Sequence, residues 1–168
     1  MIKCILQRSE DDLLNTGTAM KIDESMTLKS QLCFPLYACA RKVVNNYAPY
    51  LEPLGLTYTQ YVTMMVLWER EEISVKDLCQ ELYLDSGTIT PVIKKLMKDG
   101  YISKFRSEND ERVVIVRITE EGMALYEKAK DIPEHVCGSM SERGCKFTPE
   151  KARELREALF TILKACGQ

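Results

Sequence analysis

Apolar residues recur at helical spacing through the first half of the chain, except in its N-terminal segment. Residues 1–28 show no sustained pattern, which predicts a flexible extension. From Ser30 a helical pattern runs to the break at Pro53 and Gly55 and predicts one helix; its apolar positions are Leu32, Leu36, Val43, Val44, Tyr47, Tyr50 and Leu51. Thr57 then begins a second helix with one apolar face, which we expect in the core; its members are Tyr58, Tyr61, Met65 and Trp68.

The next segment predicts two short helices joined by a turn. Ser74 is placed to cap the first helix, the chain turns at Leu-Asp-Ser-Gly, and the second helix covers Ser86 to Lys98. Its apolar face comprises Ile89, Val92, Ile93, Leu96 and Met97, whereas the other side carries Thr88, Thr90, Lys94, Lys95 and Lys98. Two short helices, of which the second is basic and rich in hydroxyl groups, indicate a helix-turn-helix that binds DNA.

A predicted β-hairpin follows directly and turns this motif into a winged helix. YISKFR and VVIVRIT favour strands, and the polar segment SENDER lies between them as the wing tip. Arg112 at this tip is a candidate for the minor groove, and Asp110 is assigned to support the wing. The alternative for Arg112 is a surface arginine paired with Asp110 or Glu111.

The remaining chain predicts helices for dimerisation. One helix begins after Thr119 and runs towards Pro133, residues 134–147 are expected to be irregular, and a last helix opens at Thr148–Glu150. The apolar stripe of that last helix has little of a small winged lobe to pack against, so a homodimer is expected. The predicted fold is mainly α with a small β-hairpin wing. Residues 29–168 form a single domain, with dimerisation helices in 29–56 and 119–168 and a DNA-binding lobe in 57–118.

Composition and charge narrow the function. The chain has 168 residues with a formal net charge of −2, which suits one domain with a real core. Residues 74–118 carry eight basic and seven acidic residues, and this is the only one of four successive segments with a net positive charge. No apolar run approaches the ~18 residues of a membrane helix, and the acidic N-terminus argues against a signal peptide. A cytoplasmic protein is expected.

Seven cysteines, an odd number, favour free thiols over a disulfide framework. Cys33 falls within the first turn of its predicted helix, where the helix dipole stabilises a thiolate, whereas the alternative is a packed thiol. His135 and Cys137 do not have the spacing of a zinc site, and no Cys-x-x-Cys occurs, so neither a metal nor another cofactor is expected.

Three segments carry a resemblance to a known family. These are LCFPLYACARKVVNNYAPYLEPLGLTYTQYVTMMVLWE, LYLDSGTITPVIKKLMKDGYI and RSENDERVVIVRITEEG. Together they resemble the MarR family of regulators, and more narrowly its OhrR-type repressors, which sense organic hydroperoxides. The resemblance covers roughly residues 28–166.

The resemblance implies a role for individual residues. Cys33 corresponds to the peroxide-reactive thiol, Tyr47 and Tyr58 to tyrosines that hydrogen-bond to it, and Tyr37 to a neighbour. Tyr58 corresponds to a residue that reaches across the dimer. Cys137 lies where two-Cys members carry a resolving cysteine, and Cys39 and Cys145 remain alternatives. One-Cys members instead react with a low-molecular-weight thiol or overoxidise.

The resulting hypothesis is a repressor that leaves a pseudo-palindromic operator when an organic hydroperoxide oxidises Cys33. Double-stranded DNA would be contacted by Ser86, Thr88, Thr90 and the three lysines Lys94, Lys95 and Lys98. Two alternatives stay open: a regulator released by a phenolic ligand, and a thiol peroxidase. The sensing step is stoichiometric, so the chain is not expected to be an enzyme.

Overall fold

The computed structural model describes residues 23–166, and the chain divides into two compact units, Met1–Asn45 and Asn46–Gln168. In the first unit, two turns of 3-10 helix, Glu24–Met26 and Leu28–Ser30, precede helix α1, Cys33–Asn45. None of the residues in α1 is buried. Residues 1–22 of the predicted extension, which include Cys4, lie outside the described residues.

The second unit combines seven helices and three strands among its described residues. In chain order they are α2 (Ala48–Leu51), α3 (Tyr58–Arg70), β1 (Glu72–Ser74), α4 (Val75–Leu82), α5 (Ser86–Lys98), β2 (Ile102–Arg106), β3 (Val114–Ile118), α6 (Glu120–Ala129), α7 (Ile132–Glu142) and α8 (Pro149–Cys166). A 3-10 turn, Glu52–Leu54, follows α2 and ends at Gly55, whose φ of 69° is the left-handed conformation that glycine adopts most easily. No helix between residues 23 and 166 is both long and apolar enough to span a membrane.

Side-chain caps define where several of these helices begin. Thr57 and Gln60 form a complete capping box at α3, because each side chain accepts a hydrogen bond from the other residue's backbone N–H. Ser74 caps α4 and Thr119 caps α6. In each case the side-chain oxygen accepts a hydrogen bond from the backbone N–H three residues later. The predicted caps Ser74 and Thr57 are therefore confirmed.

The predicted helix-turn-helix and wing are confirmed. Helices α4 and α5 are followed by the β2–β3 hairpin, and all strands pair antiparallel in the order β1-β3-β2. The short strand β1, which pairs Ile73 with Val116, was not predicted from the sequence. Three residues are too few for an alternating pattern to appear in the sequence, so only the pairing with β3 reveals it.

One hydrophobic core joins the helices to the sheet. Apolar side chains with 0% exposure come from five elements and comprise Met64, Leu67, Leu78, Ile89, Leu96, Val116 and Ala129. The apolar face predicted for α5 is largely confirmed by Ile89, Ile93 and Leu96, although Met97 is 40% exposed. The buried side of α5 is therefore held against α3, α4 and the hairpin.

Two predicted boundaries are wrong because proline begins a helix as readily as it ends one. The single helix predicted from Ser30 is two helices, since Pro49 occupies the first turn of α2 and the chain turns at Asn46 and Tyr47. Residues 134–147 are not all irregular, because Pro133 opens α7 and that helix buries Ile132 and Val136.

The predicted core face of α3 also needs correction. Met65 is 45% exposed, whereas its neighbour Met64 is fully buried together with Leu67. The buried face is rotated by about one residue from the predicted stripe, because 100° separates successive side chains on a helix. Trp68, which was also expected in the core, is half-buried and donates its indole N–H to the carbonyl oxygen of Gly122 at 2.8 Å.

Gly122 permits a close approach between α6 and the residue that precedes β2, which generates a prediction. A Cβ atom at Gly122 would lie 2.2 Å from the carbonyl oxygen of Tyr101 and 2.7 Å from Cγ1 of Ile118. We expect Gly122→Ala to lower the free energy of unfolding by about 1–3 kcal/mol or more in urea denaturation. The matched control is Gly138→Ala in α7, where nothing lies within 4 Å and the change should be neutral or stabilising. Equal stability of the two variants would contradict this account of Gly122.

Candidate DNA-binding surface and thiol site

Helix α5 presents a polar face whose N-terminal end is organised by Asp85. The Asp85 carboxylate accepts hydrogen bonds from both the backbone N–H of Thr88, at 2.8 Å, and the Thr88 hydroxyl, at 2.9 Å. These bonds to the charged form lower the pKa of Asp85. The Thr90 hydroxyl donates to the carbonyl oxygen of Ser86 at 2.6 Å. The three hydroxyl residues proposed to contact DNA are all exposed, but two of them are already hydrogen-bonded within the helix.

The lysines of α5 differ in how freely they can meet an anion. Lys95 forms an ion pair with Asp99 at 2.5 Å, one turn further along the chain. Lys94 and Lys98 are exposed and have no ion pair among residues 23–166. Lys94 and Lys98 are therefore the two cations of this face that can bind a phosphate without losing a partner.

The wing tip holds Arg112 through Asp110. The Asp110 carboxylate accepts from the backbone N–H and from Nε of Arg112, at 3.0 and 3.1 Å, and also from its Nη2. These bonds lower the pKa of Asp110, while the Arg112 side chain remains 91% exposed. Of the pairings considered from the sequence, the one with Asp110 is present. It orients Arg112 at the tip without burying its charge.

A second arginine braces the sheet behind the wing tip. Arg117 on β3 contacts Glu72 on β1 as an ion pair at 2.5 Å, and its guanidinium lies 4.7 Å from the ring centroid of Phe105 on β2. One side chain thus connects all three strands through an ion pair and a cation–π contact. Arg117 was not predicted as a structural residue, because its partner Glu72 lies on β1, a strand that the sequence pattern does not indicate.

In the first unit, Cys33 is the first residue of α1 and its side chain is exposed. Tyr37 lies one turn further along the same helix and is 62% exposed, with the guanidinium of Arg41 5.7 Å from its ring centroid. The predicted position of Cys33 in the first helical turn is confirmed. Two apolar side chains next to it in sequence, Leu32 and Phe34, are also exposed.

In the second unit, Tyr47 and Tyr58 lie together in a cluster of aromatic rings. Their ring centroids are 5.0 Å apart in an edge-on arrangement, and Tyr47 also lies 6.0 Å from Tyr61. Tyr61 contacts Trp68, and Trp68 contacts Tyr126, at centroid distances of 6.0 and 5.6 Å. Sequence reasoning placed Tyr61 in the core correctly but did not connect it to the two candidate site tyrosines.

The pKa of the Tyr47 phenol is raised above its ordinary value. Burial raises the pKa of Tyr47, and the neighbouring Tyr58 and Cys137 raise it further. Cys137 lies on α7 with an exposed side chain, whereas it was expected in an irregular segment. On the same helix, His135 stacks on the ring of Tyr50 with centroids 5.7 Å apart, a contact that the sequence did not suggest.

The other cysteines of the described chain are free thiols as well. Cys39, Cys145 and Cys166 are exposed. Cys79 is half-buried against the core, and its pKa is raised first by burial and then by the charge of Asp85. No group of three or more His, Cys, Asp or Glu side chains in residues 23–166 is arranged to hold a metal ion.

Comparisons with known proteins agree on a class of regulators. A family model described as transcriptional regulator SarA/Rot matches residues 46–129. The chain is 43% identical over 145 residues to a protein of Bacillus subtilis (strain 168) named organic hydroperoxide resistance transcriptional regulator. That match covers 86% of this chain and 95% of the relative.

Solved structures of AbfR, a protein of Staphylococcus epidermidis, are similar in fold. The structure of reduced AbfR bound to DNA matches with a TM-score of 0.69 and 28% identity, over 86% of this chain and 98% of that one. The disulfide-formed AbfR matches with a TM-score of 0.58 and 28% identity, over 83% and 95% of the two chains.

The buried tyrosine of the cluster generates a prediction about pH. Burial raises the pKa of Tyr61 to about 12 from 10.0, and the neighbouring Tyr47 and Tyr58 add to the shift. The folded state therefore holds this proton where the unfolded chain loses it, so its stabilising effect is complete below about pH 10 and is lost as the pH rises towards about 12. We expect urea unfolding of wild type to show this loss, and Tyr61→Phe to reduce it. The same pH dependence in Tyr61→Phe as in wild type would contradict the assignment.

Proposed function

The chain belongs to the MarR family of winged helix-turn-helix regulators, in its organic-hydroperoxide branch, and we propose that it is a homodimeric repressor released from DNA by oxidation of Cys33. Its role as a DNA-binding transcriptional regulator follows from the relatives that it matches. The observation that carries the redox proposal is an exposed, free thiol at the first residue of α1. The two features that the proposal needs, a winged lobe and an exposed free thiol, are present in one chain.

Helix α5 enters the major groove of the operator in this proposal. Its apolar side is buried, so the opposite side with Ser86, Thr88 and Thr90 is available to bases and phosphates. Lys94 and Lys98 neutralise phosphates, and Lys95 can join them by exchanging Asp99 for a phosphate. Binding therefore weakens as salt rises, because each phosphate contact releases counterions.

Arg112 enters the minor groove beside the site read by α5. Its side chain is held at the hairpin tip by Asp110 and is almost fully exposed. A narrow minor groove concentrates negative potential, which favours an inserted arginine without any base-specific hydrogen bond. Asp110 has the supporting role, since it fixes the direction of the guanidinium before binding.

The chemical step is a two-electron oxidation of the Cys33 thiolate. The sulfur attacks the terminal oxygen of an organic hydroperoxide, the O–O bond breaks, and the alcohol leaves after taking up a proton. The cysteine becomes a sulfenic acid, and the peroxide is reduced. The exposed apolar side chains of Leu32 and Phe34 favour an alkyl hydroperoxide over hydrogen peroxide as the oxidant.

Tyr47 and Tyr58 serve as hydrogen-bond donors to the reduced thiol, with Tyr37 as its neighbour on α1. A phenol is protonated at neutral pH and can donate a hydrogen bond, and burial raises the pKa of Tyr47 still further above that pH. The edge contact between Tyr47 and Tyr58 keeps the two rings next to each other, which supports a shared role in this proposal. Oxidation removes the charge that they stabilise and so changes the packing around them.

Cys137 captures the sulfenic acid as the resolving cysteine of the partner subunit. Its thiolate attacks the sulfenic sulfur, a disulfide forms, and the oxygen leaves as water. The exposed position of Cys137 on α7 supports this role, and one structural relative, AbfR, has been solved in a disulfide-formed state. The new bond moves the two reading helices out of register and releases the operator.

Dimerisation through the terminal helices is supported by their exposed apolar side chains. Helix α8 has no buried residue, although Leu155, Phe160 and Leu163 are apolar and 40–47% exposed. Together with Phe147 they line an apolar groove of about 400 Å³. A second copy that covers this face removes it from water, in keeping with the closed two-fold dimers that dominate among soluble oligomers.

Replacing the sensing thiol tests the proposal. We expect reduced wild type to bind a duplex that it selects from a random library, and to leave it after treatment with cumene hydroperoxide, measured by fluorescence anisotropy. Cys33→Ser should bind equally well and remain bound. Cys39→Ser, on the same helix six residues away, should be released like wild type. Release of the Cys33→Ser protein by the same treatment would rule out sensing at Cys33.

A second experiment tests the resolving role of Cys137. We expect hydroperoxide-treated wild type to run as a covalent dimer on a non-reducing gel and Cys137→Ser to remain monomeric, with Cys33 held as sulfenic acid or a higher oxide by mass spectrometry. Cys145→Ser should still form the dimer. A covalent dimer that persists in Cys137→Ser and disappears in Cys39→Ser or Cys145→Ser would move the resolving role to that residue.

A further inference from the structure

The hydroxyl hydrogens of Thr88 and Thr90 on α5 are both already used in hydrogen bonds within the protein. The Thr88 hydroxyl donates to the Asp85 carboxylate at 2.9 Å, and the Thr90 hydroxyl donates to the Ser86 carbonyl oxygen at 2.6 Å. A hydroxyl group has one hydrogen and two lone pairs. Both side chains are exposed, so what each of them presents to an approaching molecule is a hydrogen-bond acceptor and a methyl group.

The direction of the Thr88 bond follows from the ionised state of Asp85. The hydrogen bonds from Thr88 hold the pKa of this carboxyl below its ordinary value, so at neutral pH the carboxylate has no proton to donate. Thr90 faces a carbonyl oxygen, which likewise can only accept. Both threonine hydroxyls are therefore the donors in these two hydrogen bonds.

On the basis of the proposed function, we propose that Thr88 and Thr90 read operator bases as acceptors and select the exocyclic amino groups of adenine or cytosine. In the major groove only adenine N6 and cytosine N4 donate hydrogen bonds. Guanine O6, thymine O4 and phosphate oxygens are acceptors, and meeting one of these requires breaking the bond to Asp85 or Ser86. Because both hydroxyls already donate within the protein, the preference for amino groups is built into the free protein.

Two residues next to these threonines, Asp85 and Ser86, affect which partners α5 can bind. The Asp85 carboxylate adds negative charge beside Thr88, which disfavours a phosphate there and favours an amino group. Ser86 differs from both threonines, since its hydroxyl has no hydrogen-bond partner among residues 23–166 and can still donate. Ser86, Lys94 and Lys98 are therefore the groups of α5 that can bind phosphate without losing a partner, whereas Lys95 must first release Asp99.

The two acceptors lie on opposite flanks of the exposed face. Residues two apart on a helix point about 200° away from each other, and between Thr88 and Thr90 runs the stripe of Gly87, Pro91, Lys94 and Lys98. Because of this separation, each threonine contacts a different base pair of the half-site. Two amino-presenting positions per half-site are expected.

The test uses the full-length reduced protein and DNA with single amino groups removed. A preferred duplex is selected from a random-sequence library, and each adenine is replaced by purine, which lacks the N6 amino group, and each cytosine by 2-pyrimidinone, which lacks N4. We expect wild type to lose affinity on the order of ten-fold at one position per half-site for each threonine. Thr88→Val should bind the unmodified site less well and no longer respond to removal of the amino group at its position.

The serine variants identify the part of the side chain that is read. Thr88→Ser keeps the hydroxyl and loses the methyl group, so it should keep the dependence on the amino group; the Thr90 pair of variants is tested in the same way. Loss of selectivity in the serine variant but not in the valine variant would overturn the proposal in favour of a methyl contact with thymine. Full affinity of wild type for every amino-depleted duplex would overturn it directly, even if a valine variant did not fold.

The same selection experiment distinguishes failure of the proposed DNA-binding function from failure of the acceptor proposal. If reduced wild type enriches no sequence from the library, the protein is not an operator-binding regulator and the proposed function falls. If it enriches a site whose required bases present only acceptors to α5, the regulator stands and the acceptor proposal is wrong.

Discussion

Burial of one face of α5 decides what this protein can present to DNA. Ile89, Ile93 and Leu96 are sealed into a core that also contains residues of α3, α4 and the hairpin, so the helix cannot rotate without exposing them. Every exposed polar group of α5 therefore has a defined direction. The wing is fixed by the same core, because Ile102 and Val116 belong to it.

A continuous series of contacts joins the tyrosine cluster to the wing within the second unit. Tyr47 packs against Tyr61, Tyr61 against Trp68, and Trp68 donates a hydrogen bond to Gly122. Gly122 in turn lies directly against the backbone of Tyr101, the residue before β2. A displacement at one site can be transmitted to another when the side chains and backbone between them are closely packed. This series offers a physical connection between the tyrosines and the β2–β3 hairpin.

Much of the fold was predictable because its signals are local. Capping residues, a long β-branched strand and the turn SENDER each act within a few residues, so the helix-turn-helix and the wing could be placed from sequence. The two boundary errors arose where one signal has two meanings. Pro49 falls inside the segment predicted as one helix and Pro133 was placed where a helix ends, yet each lies in the first turn of a helix.

The sequence by itself determined the chemistry available to this protein: a thiol at a helix start, a basic helix with hydroxyl groups, an arginine at a wing tip and a family resemblance that links them. Local contacts within the elements decided which of these groups are free to act, because Asp85 accepts the hydroxyl hydrogen of Thr88, Asp99 pairs with Lys95 and Asp110 orients Arg112. Only the tertiary structure decided which side of each element faces solvent and which distant segments meet: it buries Ile89 and Leu96 of α5 and joins Arg117 to Glu72 on β1. The physical reason is that burial and long-range pairing depend on distances in space between segments that are far apart in the chain, which a local pattern of residues does not specify.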